Sequence, residues 1–360
     1  MNTQATISLE ENGISFDISM LNGLPDPVFF VDLNHVIVDC NRAAKQLLGT
    51  DVFGSKLDEI LKNSSIIDVI DATLNGMPGT RREISLPFPI QRDFELTVWR
   101  LPDLKSDGPA WAMVVLHDVS ATKRAEQMRA DFVANVSHEL RSPLSTLLGF
   151  IETLQGPAKD DPEATKRFLE IMNLEAKRMS RLIDDLLTLS KVETDEHISP
   201  RDNVDLGKLL VQVSDTLFVR AKDRNVEIVL TNDTKFGLVL GDLDELTQVF
   251  QNIIGNAVNY GKEGAPIDIL IADVEAIPET NSPGLSVAVT NIGEGIPADS
   301  ISRLTERFYR VDQGRSRSIG GTGLGLAIVK HIIARHRGHL DIKSNLGAQT
   351  TFTVYIPKVL

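Results

Sequence analysis

The chain of 360 residues contains one cysteine, two tryptophans, three tyrosines and no long apolar run. A single thiol, Cys40, excludes an intramolecular disulfide, so stability has to come from packed cores; it fits a reducing compartment and reads as a small buried hydrophobe. No stretch reaches the roughly 18 apolar residues of a spanning helix, and Met1–Asp26 lacks the basic start and apolar centre of a signal peptide. Positive charge is also short: 37 Lys and Arg face 50 Asp and Glu, a net charge of −13 that disfavours nucleic acid as a partner. The expectation is a soluble, cytoplasmic protein, with membrane association only indirect. Its length leaves room for two or three domains.

Three segments separate along the chain. From Ile14 to about Asp118, short strands alternate with turn signals: Val28–Val31 and Val36–Val38 flank Asp32-Leu33-Asn34-His35, a short helix follows over Asn41–Leu48, and Arg82–Leu86, Phe94–Leu101 and Trp111–Leu116 add three strands. This predicts a compact α+β domain over 14–119. Residues 120–193 predict two long amphipathic helices. Ser120 or Thr122 caps the first, Gly156-Pro157 breaks it, and Asp160-Asp161-Pro162-Glu163 starts the second. Such an antiparallel hairpin leaves both apolar seams wet, so two copies should pair as a four-helix bundle in a homodimer. A polar linker, Thr194–Val204, precedes a mixed α/β domain over 203–360, with helices expected at Asp205–Asp223, Asp242–Tyr260 and Thr322–His336.

Chemistry concentrates first in Phe132–Leu144. His138 and Ser142 stand four apart on one helical face, and Pro143 deprives the Glu139 carbonyl of its helical partner. A neutral imidazole is available near pH 7 as a nucleophile, with Glu139 beside it to orient it or take its proton. Four further motifs lie in the last domain. Asn252, Asn256 and Asn259 form one stripe in Asn252–Tyr260, and their amide oxygens suit a hard cation. Asn291-Ile292-Gly293-Glu294-Gly295 ends a strand, and Glu306–Arg310 follows. Gly320-Gly321-Thr322-Gly323-Leu324-Gly325-Leu326 opens the last helix, where free amides favour an anion. Arg310, Arg315 and Arg317 are placed to meet phosphate charge. His331, His336 and His339 do not share a face and read as surface residues rather than metal ligands.

The run Phe132–Leu144 resembles the phosphoacceptor box of sensor histidine kinases. The four later motifs resemble, in order, the boxes of the Bergerat-type ATP-binding fold shared by histidine kinases, type II topoisomerases, Hsp90 chaperones and MutL proteins. Leu24–Val28 through Asn41–Ala44 resembles a PAS sensor domain. The resemblance implies a multidomain chain: an α+β PAS domain, a helical hairpin forming a dimeric four-helix bundle, and an α/β sandwich that binds ATP. It implies that MgATP phosphorylates His138 and that the phosphoryl group passes to a response regulator with a receiver domain, with Ser142 serving the reverse dephosphorylation. It places Mg²⁺ on Asn256 and adenine along Tyr260, with Asn252, Asn259, Asn291, Gly293, Gly295, Arg310, Arg315, Arg317 and the backbone of Gly321, Thr322, Gly323, Leu324 and Gly325 around the nucleotide. The segments around His138 and Arg303–His331 are most similar to phosphate-regulon sensor kinases. Three positions depart from the pattern: Asn291 stands where Asp is usual, Asn259 where Lys is common, and Gln349 where a second glycine is frequent. They leave open a different reading, a weak or inactive nucleotide-binding scaffold, which acid-labile phosphate on His138 discriminates.

Overall fold

The structure, a computed structural model, describes residues 8–11, 14–49, 52–77, 81–87, 91–101, 111–234, 237–312 and 321–358. Residues 1–131 and 132–360 form two compact units, each described by itself. No helix among the described residues is long and apolar enough to cross a membrane.

In the first unit, β1 (Ser8–Glu11) and β2 (Ile14–Asp17) pair as a separate hairpin. The remaining strands are β3 (Val28–Val31), β4 (Ile37–Cys40), β5 (Arg81–Leu86), β6 (Arg92–Leu101) and β7 (Trp111–Asp118). They make one antiparallel sheet in the order β4-β3-β7-β6-β5. Alternation gives it a core face: Phe94, Leu96 and Val98 of β6 and Ala112, Val114 and Leu116 of β7 are buried. That face packs with α1 (Arg42–Leu48), α2 (Leu57–Leu61) and α3 (Ser64–Leu74), which cross over between β4 and β5. Asn41 ties the motif together. Its buried side chain accepts from the amides of Ala44 and Val28, both at 3.0 Å, and donates to the carbonyls of Leu21 and Asp26. One amide thus caps a helix and fixes a strand.

Helix α4 (Ser120–Gln155), which belongs to the second unit from Phe132 onward, and α5 (Pro162–Asp195) form the hairpin. Asp161 caps α5 by accepting from the amides of Glu163 and Ala164, and Pro162 stands in the first turn, where a missing N–H costs nothing. The helix assignment of α4 continues through Pro143. Rings of Phe150 and Phe168 stack at 4.8 Å across the hairpin.

The α/β part carries one five-stranded sheet, ordered β13 (His339–Ser344), β14 (Gln349–Pro357), β12 (Gly284–Ile292), β11 (Ile267–Val274) and β9 (Ile228–Asn232). Only the β9/β11 pair is parallel. In register, Ile269, Val289 and Phe352 form one apolar row and Ile271, Val287 and Val354 the next. They share a core with α6 (Leu206–Asp223), α7 (Leu243–Tyr260) and α9 (Gly325–Arg335); α8 (Ala298–Ile301) is a single turn. Leu182, Leu189 and Val192 of α5 join the same core.

Two expectations need correction. The segment read as a linker contains β8 (Asp202–Asp205), which pairs antiparallel with β10 (Leu238–Gly241). The last helix starts at Gly325, not Thr322, because Gly323 has φ +76°, outside the helical region.

Candidate active site

A cavity of about 380 Å³, within the range of small-molecule sites, lies in the α/β part and is walled in part by the hairpin. Helix α7 supplies one wall. Its buried face carries Leu246, Val249, Phe250, Ile253 and Ile254, and that orientation turns Asn252, Asn256 and Asn259 toward the cavity as half-buried side chains. Tyr260 ends the helix and lines the same space. The last turn is held from outside. The guanidinium of Arg224 donates to the carbonyls of Val258 (2.7 Å), Asn259 and Gly261 (3.2 Å), satisfying acceptors that a helix end leaves orphaned.

Asn291, at the end of β12, is only 6% exposed and lines the cavity, followed by Gly293 and Gly295. Gly321, Thr322, Gly323 and Gly325 form the opposite wall. Gly323 is sterically required and Gly325 is tightly placed. A Cβ on Gly323 would fall 2.9 Å from the Cα of Phe308, at a positive φ, and one on Gly325 would fall 3.0 Å from the Oδ1 of Asn252. Leu324, within the same run, has its side chain fully buried in the core, and its amide donates to the Thr322 hydroxyl at 3.3 Å. Arg315 and Arg317 lie outside the described residues.

The hairpin contributes side chains that the motifs did not reveal. Arg181 and Asp185 of α5 line the cavity, as does Arg220 of α6. Asp185 accepts from the Thr322 hydroxyl at 2.7 Å, and burial pushes its carboxyl above the usual range. Arg178, one turn before Arg181, donates to Glu139 of α4 at 3.0 Å. Arg310 reaches the same Glu139 oxygen at 3.4 Å and the carbonyl of Gly321 at 2.5 Å. Arg310 is 8% exposed at its side chain, and burial lowers its pKa below that of a free guanidinium. Further along, Arg307 donates to Glu193 at 2.5 Å and lies over the Phe132 ring, which meets Phe308 at 5.9 Å. The spacing of Arg178, Arg181 and Asp185 marks one face of α5, and that was the available signal.

His138 and Ser142 are both exposed on α4, and neither lines the cavity. Among the described residues no hydrogen bond joins His138 to Glu139, whose carboxylate is taken by the two arginines. Of the three later histidines, His336 is buried rather than at the surface. Its Nδ1 donates to the Ile332 carbonyl at 2.7 Å and its Nε2 accepts from the Asp242 amide at 3.0 Å. Burial holds its pKa below the usual imidazole value. His331 and His339 pair with Glu196 (2.7 Å) and Glu279 (3.5 Å).

Comparison with known proteins places this geometry. Residues 241–360 match the family of histidine kinase-, DNA gyrase B-, and HSP90-like ATPases, 128–195 the His Kinase A (phospho-acceptor) domain, and 19–82 a PAS domain. The phosphate regulon sensor protein PhoR of Pseudomonas aeruginosa is 34% identical over 340 residues, spanning 92% of this chain and 72% of that protein. The chain belongs to the sensor histidine kinase family. Two further family members extend the likeness. Sensor histidine kinase WalK of Bacillus subtilis is 33% identical over 352 residues, 94% of this chain and 54% of that protein. Sensor-like histidine kinase SenX3 of Mycolicibacterium smegmatis is 38% identical over 256 residues, 71% of this chain and 64% of that protein. The chain therefore spans about half to two thirds of these two relatives. The crystal structure of histidine kinase ThkA in complex with response regulator protein TrrA shares the fold at TM-score 0.50 and 22% identity, covering 96% of this chain and 99% of that one.

Proposed function

We propose that this chain is a dimeric protein-histidine kinase in which ATP bound in the cavity phosphorylates His138, and the phosphohistidine then passes its phosphoryl group to an aspartate of a separate response regulator. The observation that carries this reading is the shared wall. The stripe Asn252, Asn256 and Asn259 and the glycine segment face the same space as Arg181 and Asp185 of the hairpin that bears His138. A nucleotide site and a nucleophile thus belong to one structural unit.

In the transfer, the lone pair of an unprotonated ring nitrogen forms the N–P bond while the bond between phosphorus and the departing ADP oxygen breaks. The remaining ring N–H becomes more acidic, and Glu139 is the adjacent carboxylate to receive its proton. Here Glu139 is held by Arg178 and Arg310, and His138 does not line the cavity, so the arrangement is a resting one. Transfer requires the α/β part to shift along the hairpin, releasing Glu139 as it brings the cavity to an imidazole. Asn291 accepts from the adenine amino group in place of the usual carboxylate, with Tyr260 along the ring. Mg²⁺ fits the donor set, because Asn256, with Asn252 beside it, offers a hard amide oxygen in a half-buried, water-accessible wall; the ion supplies charge neutralisation for the triphosphate.

Dimerisation follows from the hairpin surface. Leu144, Leu148 and Ile151 of α4 and Leu169, Ile183 and Leu187 of α5 are exposed at helical spacings, an apolar face that a second copy covers in a four-helix bundle. Ser142, one turn beyond His138, is proposed to position water for dephosphorylating the regulator. A regulator partner is supported by ThkA, which was solved in complex with one. The finer reading, a role in the phosphate regulon, rests on the similarity to PhoR; it predicts that His138→Gln abolishes the transcriptional response to phosphate starvation.

The direct test is a phosphotransfer chase. The full chain incubated with γ-labelled ATP should acquire acid-labile label that moves to an added receiver domain, and Ser142→Ala should slow loss of label from that receiver. A chain that takes up no label at millimolar MgATP would defeat the kinase reading and favour the scaffold that Asn259 and Asn291 leave open.

A further inference from the structure

Arg220 stands in the last turn of α6, lines the nucleotide cavity, and has no ion pair or hydrogen bond among the described residues. A cation at a helix C-terminus is ordinarily explained by the helix dipole, and Lys222, two residues on in the same turn, already meets that need. The dipole does not explain the company Arg220 keeps. Arg181 of α5 and Arg224 both act on it repulsively, and among the described residues no carboxylate is in ion-pair contact with it. Burial and these two like charges together lower its pKa.

The other cations near the cavity are already engaged. Arg310 is bound by Glu139 and the Gly321 carbonyl, and Arg224 by three carbonyls at the end of α7. Arg181 lies in the field of Asp185, whose carboxylate accepts from Thr322, and its own Nε reaches only the Lys177 carbonyl of its helix at 3.4 Å. Two guanidinium groups from different helices therefore line one cavity, Arg181 near the Asp185 carboxylate and Arg220 with no anion of its own among the described residues. The Arg220 guanidinium carries no partner among those residues and stands exposed at the cavity wall, and planar guanidinium forks match phosphate oxygens in pairs. Asn259, a side chain that brings no charge, lines the same cavity.

We infer that Arg220 is a phosphate-binding residue of the nucleotide site, with Arg181 reaching the same polyphosphate from the hairpin. Arg220 provides from α6 the positive charge that Asn259 cannot provide from α7. Because Arg181 belongs to the hairpin, triphosphate in the cavity also bridges the hairpin to the α/β part. This inference rests on the proposed nucleotide reading of the cavity.

Equilibrium binding of MgATP and of adenosine to the full-length chain tests it, with adenosine as the phosphate-free probe. Arg220→Ala should weaken MgATP about tenfold, the scale of one charge-assisted hydrogen-bonded contact, while adenosine binding stays within about twofold of wild type. Arg220→Lys, which restores charge without the fork, should recover part of the loss, and adding Arg181→Ala to Arg220→Ala should weaken MgATP further with adenosine again unmoved. Unchanged MgATP affinity in Arg220→Ala would overturn the inference, as would equal losses for both probes, which mark a purely structural role. Should the alanine variant unfold, Arg220→Gln is read against the same two outcomes. A wild-type chain that binds neither probe at millimolar concentration would overturn the nucleotide reading itself, and the inference with it.

Discussion

Helices α7 and α5 are both amphipathic, yet α7 buries nine of its 18 residues and α5 only three of its 34. The difference lies in what each helix meets. Helix α7 is enclosed between the sheet and its neighbours α6 and α9, so its apolar stripe is dry on this chain alone. Helix α5 contributes only Leu182, Leu189 and Val192 to that core, near its C-terminal end, while Leu169, Ile183 and Leu187 remain exposed. A stripe that stays wet on one copy is a request for a second copy. The α/β part is therefore self-sufficient, and the hairpin helix α5 is not.

Mutations at the two kinds of site should separate them. Phe250→Ala, in the closed core of α7, should cost about 3–5 kcal/mol of unfolding free energy, measured by urea denaturation and independent of protein concentration. Leu187→Asp should leave the fold of the α/β part in place but weaken the dimer by about ten- to a hundredfold, since burying a leucine contributes roughly 1.5–3 kcal/mol. Light scattering across a dilution series reads this. A Leu187→Asp chain that dissociates no more readily than wild type would erase the contrast between the helices. Arg224→Ala should have a smaller and more local effect, about 1–2 kcal/mol, appearing as weaker nucleotide affinity because the last turn of α7 loses its external clasp; the phosphoryl-transfer rate at saturating ATP should change little.

The smallest effect is the pH dependence at His336. Its folded pKa is depressed, because burial disfavours the charged ring and Nε2 must stay unprotonated to accept from Asp242. The unfolded chain therefore binds more protons as pH falls below about 6.5, and stability declines from there down to the folded pKa, at no more than about 1.4 kcal/mol per pH unit. His336→Gln should flatten that slope between pH 7 and 5.5 in thermal unfolding of the full chain. An unaltered slope would assign the pH dependence elsewhere.

Much of this was legible in the sequence for identifiable reasons. The start of α5 at Asp161-Pro162, the strands β6 and β7, and the asparagine stripe on α7 all follow from local sequence, and each stands where that sequence puts it. What escaped depends on distant partners. Strand β8 is polar, and only Val204 is buried, so nothing in Asp202–Asp205 distinguishes a strand from a linker until β10 pairs with it. Thr322 reads as the start of the last helix, but the positive φ of Gly323 delays α9 to Gly325. His336 reads as a surface residue, yet Gly241 leaves it space: a Cβ there would lie 3.2 Å from the imidazole. Arg220 and Arg224 are indistinguishable in sequence from solubilising charge at a helix end; only the structure separates a cavity-lining cation from a carbonyl clasp.

In the proposed function the open hairpin and the closed α/β part make one enzyme, with the cavity supplying the phosphoryl group and α4 the acceptor. The measurement that tests it most directly is acid-labile labelling from γ-labelled ATP in the full-length wild type, His138→Gln and Asn256→Ala, each with nucleotide affinity measured in parallel. Label should be present in wild type. It should vanish in His138→Gln with ATP binding intact, and vanish in Asn256→Ala with the dimer intact. Label of wild-type size in His138→Gln would contradict the account outright.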